Sequence, residues 1–141
     1  MPRTGLVKTL RYISTSGQAV NNGATTTIIY GTLDYDNLGT YNSTTGVFTP
    51  TDSGLYRVQY VAGIQSLTSA NINSYIYKTG VIYAQKYWDM PTTVGVAFEM
   101  ETEVRLTVTD TLDFRIFHNG SSTVLSTGIG RNYMIITRIG D

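Results

Sequence analysis

Few residues in this chain have the chemistry of a reactive site, and they are scattered. His118 is the only histidine, and Asp110 and Asp113 lie near it in sequence. A histidine base needs a nucleophile or an orienting carboxylate beside it. The two aspartates sit on alternating positions of a strand edge, so His118 reads as a residue closing a strand beside a turn. Glu99, Glu101 and Glu103 share one face of an extended segment. Paired carboxylates can do acid–base work, and carboxylate oxygens can hold calcium. A solvated strand face that discourages edge pairing is the preferred reading. Asp34-Tyr35-Asp36-Asn37 is a second oxygen-rich stretch and reads as a turn. Calcium is left open and not predicted, and no cofactor is expected.

Asn42-Ser43-Thr44 and Asn119-Gly120-Ser121 both satisfy the N-glycosylation pattern. In a chain without a recognisable export signal they read first as turns. Phosphate-cradling glycine loops, a Gly-x-Ser-x-Gly elbow and Cys/His metal spacings are missing from the sequence. Cysteine is absent altogether, which removes disulfides and thiolate metal sites. Ten basic and ten acidic residues balance to zero net charge and are spread along the chain, which argues against a nucleic-acid partner. No catalytic set is expected, and the chain reads as no enzyme.

What remains is an unusual supply of tyrosine, eleven residues, with Tyr75, Tyr77, Tyr83, Tyr87 and Trp88 close together. Rings with polar tips suit subunit interfaces, and they also stack on glycans or peptides. The interface is the preferred role. Loops at Asn119 to Ser122 and Asp89 to Thr93 are candidates to display contacts.

The elements that must position these residues are strands. β-branched and aromatic residues dominate, and no convincing helix pattern exists. Tyr56, Val58 and Tyr60 alternate with Arg57 and Gln59, a period of two that marks a half-buried strand over about 55–65. Further strands are expected at 6–14, 25–35, 46–49, 72–78, 81–87, 112–116 and 131–139. Val94 to Val108 alternates longest of all, and a break is expected near Glu101 to Glu103. Thr79-Gly80 has hairpin spacing, and Asp52-Ser53-Gly54 reads as a tight turn with Gly54 free to take a positive φ. With 141 residues, 1–141 reads as one domain. No stretch has the length of a membrane span or the apolar core of a signal peptide.

Gly46-x-Phe48 followed by Gly54-x-Tyr56, with Tyr41-Asn42 upstream, resembles the signature of the complement C1q-like globular domain, a relative of the tumour necrosis factor fold. The resemblance runs over about residues 5–139. Pro50 stands one place earlier than that family's proline, and Tyr133-Met134-Ile135-Ile136 replaces its closing Phe-x-Gly-Phe. The resemblance implies an all-β jelly-roll sandwich of about ten strands, assembled as a homotrimer. Gly46, Phe48, Gly54 and Tyr56 would then form the core signature. The first and last strands are apolar on both faces, so Leu10, Tyr12, Tyr133, Ile135 and Ile139 are expected at the trimer interface. The functional expectation is a non-enzymatic module of a phage virion or bacterial surface assembly: a head fibre, capsid decoration or receptor-binding tip. Its partners would be itself, other virion or surface proteins, and a cell-surface glycan or protein receptor. The alternative is a soluble C1q-like lectin or secreted recognition protein.

Overall fold

The computed structural model describes residues 7–67, 70–90, 94–121, 123–125 and 132–141. Leu6, Pro91 to Thr93, Ser122 and Arg131, which enter the expectations above, lie outside the described residues. Among the described residues the chain forms thirteen strands: β1 Thr9–Ile13, β2 Ala19–Val20, β3 Thr25–Thr27, β4 Thr32–Asp36, β5 Tyr41–Asn42, β6 Val47–Phe48, β7 Gly54–Leu67, β8 Ala70–Lys78, β9 Val81–Met90, β10 Val94–Leu106, β11 Leu112–His118, β12 Thr123–Val124 and β13 Asn132–Gly140. One sheet runs β10-β7-β13-β1-β4. The other runs β5-β6-β11-β8-β9, with β3 also pairing β11, and β12-β2 form a short separate ribbon. Every pairing is antiparallel. The two sheets stack as a jelly-roll sandwich.

The core follows from alternation. Tyr56, Val58, Tyr60, Ala62 and Ile64 on β7 point inward with Phe98, Met100, Val104 and Leu106 of β10, against Ile72, Ile76, Leu112, Phe114 and Ile116 of the facing sheet. Each buried Val, Leu, Ile, Met or Phe side chain among them contributes roughly 1.5–3 kcal/mol. Phe48 and Tyr56 are fully buried and meet edge-on, ring centroids 5.7 Å apart.

Four expectations about the strands are corrected. The run 25–35 is two strands in different sheets. Between them Ile28 and Tyr30 are fully buried as the chain crosses the sandwich, and Ile28 N–H donates to the Phe114 carbonyl at 2.8 Å. Alternation alone cannot show such a crossing. The long strand β10 has no break at Glu101 to Glu103, and its one irregularity lies between Val94 and Val96. Its partner β7 is as extended, so every residue from Val96 to Leu106 finds a register partner, and Arg57 sits opposite Glu103. The hairpin strands also run further than expected, so Asp89 belongs to β9 rather than to a loop. Finally, Leu10 and Tyr12 do not lie on a face open to another copy. Leu10 is fully enclosed and Tyr12 is 8% exposed, because β1 turns them toward the subunit's own core and leaves Arg11 and Ile13 outside.

Two glycines act differently from one another. Gly46 has φ +78° and its missing side chain lets the Ile28 carbonyl approach. Gly54 does not take a positive φ; a Cβ there would fall on the Gly140 carbonyl oxygen and the Arg138 side chain. The Thr79-Gly80 turn has φ of 49° and 76°, the left-handed pair that a two-residue hairpin requires. Gly54→Ala should therefore cost about 1–3 kcal/mol, since a backbone oxygen has to shift. Gly140→Ala, whose Cβ would meet Leu55 Cβ at an ordinary 3.7 Å, should stay within about 0.5 kcal/mol. Urea midpoints of the two variants check this, and equal losses would refute the close-approach reading.

Candidate recognition surface

His118 is fully buried, with Nε2 at 2.9 Å from the Val20 carbonyl oxygen and Nδ1 without a partner. It lies on the core face of β11 with Leu112, Phe114 and Ile116, whereas Asp113, an odd number of residues away, lies on the opposite face. The strand itself keeps the pair apart. Asp113 is engaged with Arg115 at 2.5 Å. Asp110 accepts hydrogen bonds from the Thr107 backbone N–H at 2.8 Å and the Thr79 hydroxyl at 2.9 Å, with Lys78 Nζ at 3.6 Å. It therefore clasps the β8–β9 turn to the β10–β11 turn. Among the described residues, no three His, Cys, Asp or Glu side chains come together to hold a metal ion. Asp36 is occupied as a turn, accepting from Tyr12 hydroxyl, Leu38 N–H and Gly39 N–H, and Asp34 pairs with Arg11. Burial, aided by Asp36, pushes the Tyr12 phenol up to about 12.

Two broad faces remain. The outer face of the β10-β7-β13-β1-β4 sheet is ordered from one margin to the other. Glu99, Glu101 and Glu103 line β10. Arg57 reaches Glu101 at 3.6 Å and Glu103 at 3.2 Å, and Gln59 donates to Glu99 at 2.9 Å. All three members of the two ion pairs are half exposed, so each pair is worth about 0–1 kcal/mol. Inward from that margin come Val61, then Tyr133 and Ile135 of β13, then Arg11 and Ile13 of β1, then Tyr35 of β4, as the register dictates. Arg11 stacks over the Tyr133 ring at 4.7 Å and holds Asp34 at 2.5 Å. Tyr133 and Ile135 are half-buried on this face, and Ile139 is exposed at its end. Glutamates paired with Arg57 therefore occupy one edge, a greasy strip the middle, and the Arg11–Asp34 pair the far side.

The outer face of the other sheet carries the aromatic ladder. Arg115 stacks on Tyr77 at 3.8 Å, Tyr77 meets Tyr75 edge-on at 5.7 Å, and Tyr87 is 61% exposed. Trp88 turns inward instead, against Phe98 at 5.5 Å. Tyr83, Lys86 and Lys78 reach across the open side of the sandwich to the carbonyl oxygens of Glu103, Glu99 and Arg105 at 3.0, 3.4 and 2.8 Å. These bonds cover acceptors on the free edge of β10, where an unpaired strand would otherwise invite another chain. Of the two loops expected to display contacts, Asn119 is tied to Asn71 and Gly120 is buried.

Sequence reasoning missed the ordering of charge across the first face and the clasp at Asp110. Arg57 and Arg11 belong to different strands, and only the register places them on one surface with the glutamates. Asp110 had a local signal, Thr107 three residues before it, the spacing of a side chain closing a turn.

No family model matches the sequence, and no curated protein matches it. Solved structures do resemble its fold. The Eiger TNF of S. frugiperda matches at 12% identity over 96% of this chain and 94% of that chain, with a TM-score of 0.69. Murine APRIL at pH 5.0 matches at 10% identity over 95% and 100%, with a TM-score of 0.73, and its pH 8.5 structure at 9% identity over the same shares, also at 0.73. The fold is thus a jelly-roll β-sandwich similar to those of Eiger TNF and APRIL.

The Asp110 clasp makes stability depend on pH. Hydrogen bonding from Thr107 leads the effects that hold its carboxyl below the ordinary 3.8. A group whose pKa is lower in the folded state stabilises above its unfolded pKa, and that contribution fades as pH falls through the folded value. Asp110→Asn should lower the urea midpoint at pH 7, and the gap from wild type should close below about pH 4. A gap constant down to pH 3 would show that the carboxylate's charge does not matter.

Proposed function

We propose that this protein is a non-enzymatic recognition module that works outside the cell as a homotrimer and binds a protein or glycan partner. The fold likeness supports a ligand-type module over a catalyst, and it favours the secreted recognition reading over a virion component. No feature of the described residues favours the virion.

The observation that carries the assembly is the apolar strip on the β10-β7-β13-β1-β4 face, where half-buried Tyr133 and Ile135 run toward exposed Ile139. Carboxylates on one margin and Arg11 toward the other suit acid-to-base contact between copies, and the resemblance to the C1q-like domain favours a three-fold ring over a two-fold pair. Head-to-tail placement brings the acidic margin of one copy onto the Tyr133–Ile135–Arg11 region of the next, and such heterologous contacts form rings when the rotation closes. Permanent interfaces of this kind bury on the order of 2,000 Å² or more. The aromatic ladder on the other sheet then faces outward. Exposed Tyr and Arg are the residue types that dominate binding energy at recognition surfaces.

Light scattering on the purified chain should give about three times 15.5 kDa. Ile135→Lys sets a second positive charge opposite Arg11 in the shared strip while sparing the core, and it should yield monomers that keep their β-sheet spectrum. Wild type running as a monomer at micromolar concentration would refute the assembly. On glycan arrays and intact cells, Tyr77→Ala and Tyr87→Ala should each weaken binding by about tenfold or more without changing mass. The monomeric variant should lose about 10²–10⁴ in apparent affinity through lost multivalency. Binding that survives all three changes would sink the assignment of the face.

A further inference from the structure

We propose that Asn42 is an N-glycosylation site and that Asn119 is not, although both satisfy the same sequence pattern. The inference rests on the extracellular reading above, which supplies the compartment where such transfer occurs.

The structure separates the two asparagines. Asn42 ends the short edge strand β5, and residues 42–45 are all exposed. Its Oδ1 accepts the backbone N–H groups of Thr44 and Thr45 at 2.9 and 3.1 Å, and its carbonyl accepts Gly46 N–H at 2.8 Å. The carboxamide is therefore oriented through its oxygen by neighbours two and three residues on, which leaves Nδ2 pointing away from the turn. Such local bonds form without the rest of the fold. Asn119 is placed by the opposite kind of contact. Its Oδ1 accepts Asn71 N–H at 2.7 Å, 48 residues away in sequence, and its own N–H donates to the Asn71 carbonyl at 3.3 Å. The side chain continues the β8–β11 pairing past His118. Gly120 beside it is buried, and Ser121 is itself engaged. Asn119 is itself exposed, so what separates it from Asn42 is that its carboxamide is tied to Asn71 across the sheet rather than to its own turn.

The chemistry is a group transfer without change of oxidation state. Nδ2 of Asn42 forms a bond to the anomeric carbon of an oligosaccharide donated by a polyisoprenyl diphosphate. The bond from that carbon to the diphosphate oxygen breaks, the diphosphate leaves with the electron pair, and the Nδ2 proton passes to a base of the transferase. The Thr44 hydroxyl is the group that the enzyme reads beside the acceptor.

The position gives the glycan a use. β5 ends the order β5-β6-β11-β8-β9 and, among the described residues, pairs only with β6, so its outer side is a sheet edge. A bulky solvated glycan there blocks strand addition by another chain. At the opposite margin from β9, it leaves the tyrosine-rich hairpin open to a partner.

The test is export of the full chain from a yeast secretory host behind a cleavable leader, followed by mass spectrometry before and after peptide N-glycosidase. One glycan is expected, converting Asn42 to Asp on enzymatic release. Asn42→Gln and Thr44→Ala should both abolish it, and Asn119→Gln should not. Thr44→Ala keeps the turn, because its bond to Asn42 comes from the backbone, so loss of the glycan there cannot be misfolding. Secreted chain with no enzyme-sensitive mass, or mass that survives Thr44→Ala, overturns the proposal. A glycan at Asn42 on a protein that binds no partner would overturn the recognition reading alone. Partner binding by an unmodified exported chain would overturn this inference alone.

Discussion

Two sheets share one core here, and tyrosines stitch them together. Tyr60 leaves β7, lays its ring 4.6 Å from Phe114 on the facing sheet and donates its hydroxyl to the Tyr75 carbonyl at 3.1 Å. Tyr30 does the reverse, from the crossing segment to the Val61 carbonyl at 2.8 Å. A third, Tyr41, accepts Tyr30 N–H at 3.0 Å while packing 4.6 Å from Tyr12. A buried hydroxyl without a partner would cost about 1–3 kcal/mol, so each ring is admitted to the core only where an acceptor or donor waits for its tip. Burial accordingly raises the phenol pKa of Tyr30, Tyr41 and Tyr60 above the ordinary value.

With the core closed by these contacts, the outside of the sandwich is left with two unlike faces. One grades from carboxylates through an aliphatic strip to Arg11. The other presents stacked tyrosine and arginine. Between them, side chains of the β8–β9 hairpin cover acceptors along the margin of β10. Asn132 solves a related problem inside: its carboxamide exchanges hydrogen bonds with the backbone of Gly63 at 3.0 and 3.3 Å, standing in for a strand where β13 begins. Every one of these devices answers the same demand, that main-chain polar groups at the limits of a sheet find partners.

Much of this was legible in the residues, and the limits are instructive. The alternation through Tyr56, Val58 and Tyr60 showed β7 and its buried face, and the Thr79-Gly80 pair showed the hairpin. Tyr133 and Ile135 could be recognised as the outward row of an apolar strand. By contrast Leu10 and Tyr12 were assigned to the wrong side. A strand apolar on both rows does not say which row is inward until a neighbour covers one. The crossing at Ile28 to Gly31 was hidden because its residues keep the period of a strand while the backbone changes sheets. Gly54 was recognisable as special, but the cause is a carbonyl from Gly140 at the far end of the chain rather than its own dihedral.

Period, composition and the lack of cysteine determined by themselves that this is a disulfide-free β protein rich in tyrosine. Those properties depend on side-chain type and on spacing along a single strand. Only the tertiary structure decided which strands pair, that Glu101 and Arg11 occupy one surface, and that Asn42 is held by its own turn while Asn119 is tied to Asn71 across the sheet. These depend on register between segments far apart in sequence, and register is chosen by the sum of all contacts across the sandwich rather than by any local run of residues.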